Sequence, residues 1–189
     1  LRRQRQMCIR DRDGCIRPDT TLESMAALSP VFSDGGSVTA ATSSPLTDGA
    51  AAVIVCSEDF ALSRGLQPMA RIVSGAVTGC PPDIMGIGPV EATKQVLERA
   101  AWELGSVDIF ELNEAFSSQS MAVIDELRLD SAKVNLDGGA IAIGHPLGAS
   151  GARITGKAAS LLSRTNTDRA IATMCIGGGM GIAIALESM

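Results

Sequence analysis

From Met69 to the carboxyl terminus, apolar runs of strand length alternate with amphipathic runs of helix length, and this alternation limits the fold more than any other feature. Residues 69–77 read as a strand, and a Pro/Gly loop over 80–89 leads into a helix over 90–104. Val90, Val96, Leu97, Ala100, Ala101 and Leu104 line one broad face of that helix, and Gly105 stops it. A strand over 108–112 then meets a helix over 113–127, and a strand over 133–136 leads through a Gly-rich loop to a helix over 149–163. Two last apolar runs, 170–176 and 181–186, flank the glycines 177–179. The order is βαβαβαββ. It predicts an α/β fold with a mixed, mostly parallel sheet covered by helices on both faces, the closing hairpin making one edge antiparallel.

The first 66 residues follow no such rhythm. Residues 1–12, LRRQRQMCIRDR, have neither apolar period nor turn logic and look like a translated adaptor tail, so they stand outside the fold argument. Thr20 and Glu23 are spaced as a capping box for a short helix through Leu28, closed by Pro30, Gly35 and Gly36. Residues 39–49 form a small-residue loop and 51–56 a β-like run. Ser57 caps a helix carrying Phe60, Ala61 and Leu62, and Gly65 ends it.

Composition narrows the function. The chain has 189 residues, 46% of them apolar, enough for one or two domains with a real core. A net charge of −5 argues against broad nucleic-acid binding. That total conceals an asymmetry, because residues 1–17 carry six Arg against two Asp and the remainder about −9. Five cysteines without ligand spacing and a single histidine cannot complete a zinc site, so no metal is expected. The start lacks an apolar leader, and the glycines at 177–179 interrupt the one run, 170–186, that approaches a membrane span. The expectation is a soluble, intracellular protein, most simply cytoplasmic, with no membrane span.

The chemistry concentrates in three places. His145 lies in NLDGGAIAIGHPLGASGARI among Gly138, Gly139, Gly144, Gly148 and Gly151. Cys175 stands just before Gly177, Gly178 and Gly179, and Asn113 opens the run NEAF. A lone His, a Cys and an Asn, each at the edge of an apolar element, suggest carbon–sulfur acyl chemistry. The glycine triplet does not open a helix after a strand, so a dinucleotide reading fails.

Taken together, NEAF at 113–116, GHP at 144–146 and CIGGG at 175–179 resemble the thiolase family, and SVTAATSSPLTDGAAA at 37–52 resembles its coenzyme-A-contacting loop. The likeness covers about residues 13–189. It implies that residues 67–189 are the carboxyl-terminal thiolase domain, and that 13–66 combine the end of the loop domain with the last strands of the amino-terminal domain. A ketoacyl synthase relative would share the fold but not GHP and CIGGG.

The resemblance also implies roles. His145 would take the proton of a nucleophilic cysteine, and its Nε2–H would help hold the thioester oxygen. Cys175 would move the α-proton of acetyl-CoA, with thiolate character accessible near neutral pH. Asn113, which alone would pass for a helix cap, would position a water beside the histidine. Gly177 would donate its N–H to an oxyanion, while Ser44, Ala115 and Phe116 would line the pantetheine channel. Coenzyme A would be substrate, with no bound cofactor, and the complete protein a homodimer or homotetramer.

The family's nucleophilic cysteine sits in an amino-terminal half, and none of Cys8, Cys15, Cys56 or Cys80 has a matching context. The chain by itself is therefore expected to be inactive; the alternative is a non-catalytic acyl-CoA-binding or partner-subunit protein. The sequence TAATSSP at 39–45, where biosynthetic members commonly read TAGNASG, favours a degradative 3-ketoacyl-CoA thiolase.

Overall fold

The computed structural model describes residues 15–189, so the basic tail at 1–12 lies outside the described residues. The amino-terminal part carries two short helices, α1 (Leu22–Ala26) and α2 (Glu58–Ser63). The capping box of α1 falls one residue later than expected, on Thr21 and Ser24, whose side chains and backbone amides bond reciprocally. Ser57 caps α2 as its sequence implies, accepting from the Phe60 amide at 3.2 Å. Residues 51–56 take no regular form. Their apolar side chains stay in solvent, with Ile54 90% exposed, because the described residues offer that run no strand partner.

From residue 71 the alternation is realised as β1 (Arg71–Gly79), α3 (Gly88–Ala100), β2 (Ile109–Leu112), α4 (Ser117–Leu127), α5 (Ala140–Ile143), α6 (Ser150–Thr165), β3 (Arg169–Ile176) and β4 (Met180–Glu187). The sheet order is β1-β4-β3-β2. Three of the four strands share one direction, so the sheet is mixed. The closing hairpin, however, does not lie at an edge. β4 inserts between β1 and β3 and pairs antiparallel with both, leaving β2–β3 as the parallel pair. A three-glycine turn forces β4 back alongside β3, and β1 then completes the other side of β4.

One expected strand is missing. At 133–136 there is a single parallel bridge between Phe110 and Val134, preceded by a 3-10 turn at Ser131–Lys133. Asn135 is the cause. It sits in the left-handed region at φ 50, and its side chain takes over the pairing a strand would have made. Its Oδ1 accepts from the Leu112 amide at 2.9 Å, and its Nδ2 donates to the Leu112 carbonyl at 2.8 Å.

Alternation along the strands divides the core between two helical layers. On one face Ala76, Val96, Val107, Phe110, Ile171 and Ala183 pack around α3. On the other, Ile109, Ile154, Ala158, Leu161, Leu162 and Ala170 pack around α6. α4 adds Val123 and Leu127 against Val90 and Leu112. Each fully buried Leu or Ile stabilises by roughly 2 kcal/mol, so these layers hold the carboxyl ends of β2 and β3 in fixed register. No helix among the described residues is long and apolar enough to cross a membrane.

Candidate active site

The site gathers beyond the carboxyl ends of β2 and β3, the edge where open α/β sheets leave a crevice. Asn113 directly follows β2, and its amide donates to the Thr173 carbonyl of β3 at 3.0 Å. It is fully buried and does not cap a helix. α4 starts four residues later with Phe116 at its cap position, so residues 113–116 stay out of the helix and the cap reading of Asn113 is corrected. The side chain is thereby released for the site.

His145 meets it there. The imidazole is 8% exposed, its Nε2 lies 3.3 Å from Asn113 Nδ2, and its Nδ1 lies 2.6 Å from Ser150 Oγ. The Ser150 hydroxyl donates to the Pro146 carbonyl at 3.1 Å, so toward the ring it accepts, and Nδ1 carries the proton. Nε2 then holds the lone pair and accepts from the Asn113 amide. Its basic nitrogen thus faces the carboxyl edge of the sheet. Burial first, and the Arg153 charge second, hold the imidazolium below its ordinary range, so the ring is neutral at pH 7. Ser150 was invisible as a site residue. Its only signal was a hydroxyl five residues after the histidine, at the first position of a helix.

The loop is fixed from several sides. His145 N donates to the Pro45 carbonyl at 3.0 Å. Gly144 has φ +96, and a side chain there would run into Thr47. Glu114 bridges to the same loop, accepting from Asn135 Nδ2 at 2.8 Å and from the Ile141 amide at 3.1 Å. A Cβ at Gly139 would strike that carboxylate. Glu114 belongs to the NEAF run and Asn135 opens the Gly-rich stretch, but their sequence context alone gives neither this bracing role.

Cys175 reaches this edge through strand register. It pairs with Gly181 near the end of β3, two residues beyond Thr173, and is 5% exposed. Burial pushes its thiol up from the usual range, outweighing its backbone hydrogen bond. Burial thus works against the thiolate character expected of it near neutral pH. Gly177 lies in the exposed turn that follows, with open space where a side chain would stand.

The three residues expected to meet coenzyme A also come together. Ser44 N and Oγ both donate to the Ala115 carbonyl, at 3.0 and 3.2 Å. Ser43 bridges Phe116, whose half-buried ring meets Phe32 edge-on at 6.2 Å. Among the described residues no group of three His, Cys, Asp or Glu side chains could hold a metal ion, and no thiol is among the hydrogen-bond partners of His145.

The family model described as thiolase, C-terminal domain matches residues 66–188, and that described as thiolase, N-terminal domain matches residues 2–59. An acetyl-CoA acetyltransferase of Shinella zoogloeoides is 50% identical over 179 residues, 95% of this chain and 46% of that protein. A 3-ketoacyl-CoA thiolase of Photorhabdus laumondii is 53% identical over 183 residues, 95% of this chain and 47% of that protein. The crystal structure of human mitochondrial 3-ketoacyl-CoA thiolase in complex with CoA matches with a TM-score of 0.89 at 49% identity, covering 92% of this chain and 44% of that one. The Bacillus anthracis acetyl-CoA acetyltransferase matches at 0.89 and 46%, with the same coverage. The chain spans about half the length of the curated relatives it matches.

Proposed function

The chain belongs to the thiolase family, and from that premise we propose that it supplies the acid–base half of an acyl-CoA C-acyltransferase that cleaves 3-ketoacyl-CoA with coenzyme A, or runs the reverse condensation. The observation that carries this reading is the Asn113–His145–Ser150 chain, in which Ser150 directs the ring proton to Nδ1 and leaves an unprotonated Nε2, met only by the Asn113 amide, to take a thiol proton.

In the cleavage direction, His145 Nε2 takes the proton of a nucleophilic cysteine lying outside the motifs of this chain. The thiolate forms a bond to the keto carbon, and the oxyanion collapses, breaking the bond between the α and β carbons. The electron pair passes to the α carbon, where the Cys175 thiol protonates it and releases acetyl-CoA. The proton on His145 then restores Cys175. Coenzyme A next gives its thiol proton to His145, attacks the acyl-enzyme and expels the nucleophile, which recovers that proton.

A thiol held protonated by burial suits Cys175 to this donor role. Asn113 Oδ1 is buried with no protein partner, which suits it to hold a water beside the enolate oxygen. Gly177 would donate its N–H to the tetrahedral oxyanion. Ser44, Ala115 and Phe116 form one side of the pantetheine path. Coenzyme A enters as substrate, and no resident cofactor is required. Residues 67–189 are assigned to the carboxyl-terminal domain and 13–66 to the end of the amino-terminal part, in a homodimeric or homotetrameric enzyme of the cell interior. The sequence TAATSSP at 39–45 favours the degradative direction.

The test is complementation. The chain is incubated with a 3-ketoacyl-CoA and coenzyme A, alone and with an amino-terminal thiolase half, and thioester products are followed by mass spectrometry. Product only in the completed mixture supports the reading; product from the chain alone, or from neither, overturns it.

A further inference from the structure

Alternation along β3 places Cys175 on the same face as Ile171, the face that α3 covers. On β4 that face carries Ala183 and Ala185, and alternation adds Gly181. Thr78 of β1 and Cys175 of β3 both stand opposite Gly181 in register, so the three residues form one row across the sheet.

The middle of that row has no side chain, and the start of α3 fills the space. A Cβ on Gly181 would run into the Gly88 carbonyl group and lie 2.7 Å from the Pro89 nitrogen. Conversely, a Cβ on Gly88 would lie 2.7 Å from the Met180 carbonyl carbon and 2.8 Å from the Gly181 nitrogen. Thr78 shows the same orientation, its hydroxyl donating to the Gly88 carbonyl at 3.4 Å. Cβ atoms directly opposite in a sheet stand about 5 Å apart. Cys175 is therefore one such step from the place that Gly88 occupies.

Two further contacts seat the 3-10 stretch Pro82–Ile87, which leads into α3 and also touches β3 and β4. Near its start, Gly179 leaves room for the Cys80 carbonyl and for Pro82, whose Cα would lie 3.1 Å from a Cβ there. The Cys80 amide donates to the Gly179 carbonyl at 2.8 Å. Near its end, Gly86 lies against Gln119 of α4, which is 7% exposed and whose Cγ would stand 2.7 Å from a Cβ. Residues 80–88 are thus seated at three glycines, on the face of the sheet where Cys175 is 5% exposed.

We propose that Gly88 and Gln119 are positioning residues for Cys175: Gly88, seated on Gly181, and Gln119, seated on Gly86, hold residues 82–88 as a wall that keeps the thiol out of water. This deepens the reading of Cys175 as the proton donor and rests on it. Burial is the main cause that raises this thiol, so the wall keeps the donor protonated.

The 189-residue chain is alkylated with iodoacetamide at pH 7 and followed by peptide mass spectrometry, with the exposed Cys56 as internal reference. Gly88→Ala should lift α3 from β4 and raise the Cys175 rate relative to Cys56 about tenfold, with helix content unchanged. Gly105→Ala, whose methyl meets open space, should leave the ratio unchanged. Gly86→Ala pushes a methyl into Gln119 and Gln119→Ala opens a gap beside Gly86, so each alone should raise the ratio. Combined, the new methyl takes the place of the lost Cγ, and the ratio should return to within about twofold of wild type.

A folded Gly88→Ala chain with an unmoved ratio overturns the proposal. If that variant does not fold, the Gly86–Gln119 cycle decides, and absent or additive effects there overturn it, since general loosening would accumulate rather than cancel. None of these readouts requires turnover. Failed complementation with ratios that move as stated would sink the functional reading alone, and successful complementation with unmoved ratios would sink this proposal alone.

Discussion

At His145 two contacts settle which nitrogen is basic, and a third residue class settles when it works. Ser150 fixes the proton on Nδ1, Asn113 occupies Nε2 until a thiol displaces it, and burial keeps the ring neutral. The pH dependence follows from the directions of the two shifts. Cleavage needs neutral His145 and protonated Cys175, so the acid limb should fall below the ordinary histidine value of 6.5 and the alkaline limb above the ordinary thiol value of 9.0. A plateau spanning at least that interval is the expected kcat/KM profile of the completed enzyme. An alkaline limb near 7 would contradict the protonated role of Cys175. For stability the sign at Glu111 is opposite to that of an ordinary carboxylate: its folded value is raised to about 7 from 4.5. The stabilisation from holding its proton is complete below 4.5 and is lost as pH rises through 7. Glu111→Gln should flatten that decline in urea melts collected across the window.

These residues were unequally visible beforehand. His145, Cys175 and Asn113 stood in distinctive motifs, because glycine-rich backbone around a lone polar side chain leaves a local trace. Ser150, Glu114, Asn135 and Arg153 lie within the same motif stretches, but nothing local marks what each does there. Ser150 turns back five residues to the His145 ring, and Glu114 reaches Asn135 and Ile141, 21 and 27 residues away.

Among the elements, periodicity located β1, α3, β2, α4, α6, β3 and β4 to within a few residues at most ends, since each buries one face against another layer. Elsewhere it fails, and two of the failures have clear physical reasons. A side-chain amide can replace a strand ladder, as Asn135 does, and no alternation pattern records that substitution. Sheet order is likewise a matter of pairing: β4 could have lain at an edge and instead lies inside. The end of α3 offers a separate test. Ala101 occupies the left-handed position after α3 at φ 55, where a Cβ is strained, and it is exposed. Ala101→Gly should therefore stabilise the chain by about 1 kcal/mol in chemical denaturation. A loss of stability there would mean that the cap is held by something other than backbone geometry.

Over the whole molecule, the described residues bury a two-faced sheet yet leave many large apolar side chains in solvent, several of them between residues 53 and 62. Ile54 and Val55 are 90% and 70% exposed, and Leu62 follows at 72%. Such a patch favours association. In sedimentation velocity the chain should self-associate or bind an amino-terminal thiolase half, and Ile54→Lys should weaken that association severalfold without changing helix content. A monodisperse monomer insensitive to Ile54→Lys would argue against a missing apolar partner.

The most direct test of the acyl-transfer account is the turnover of 3-ketoacyl-CoA by the completed protein with His145→Ala or Cys175→Ser. Removing the base or the proton donor should each lower kcat by about 10²- to 10⁴-fold while substrate binding changes little. Turnover within a few fold of wild type in either variant would contradict the account.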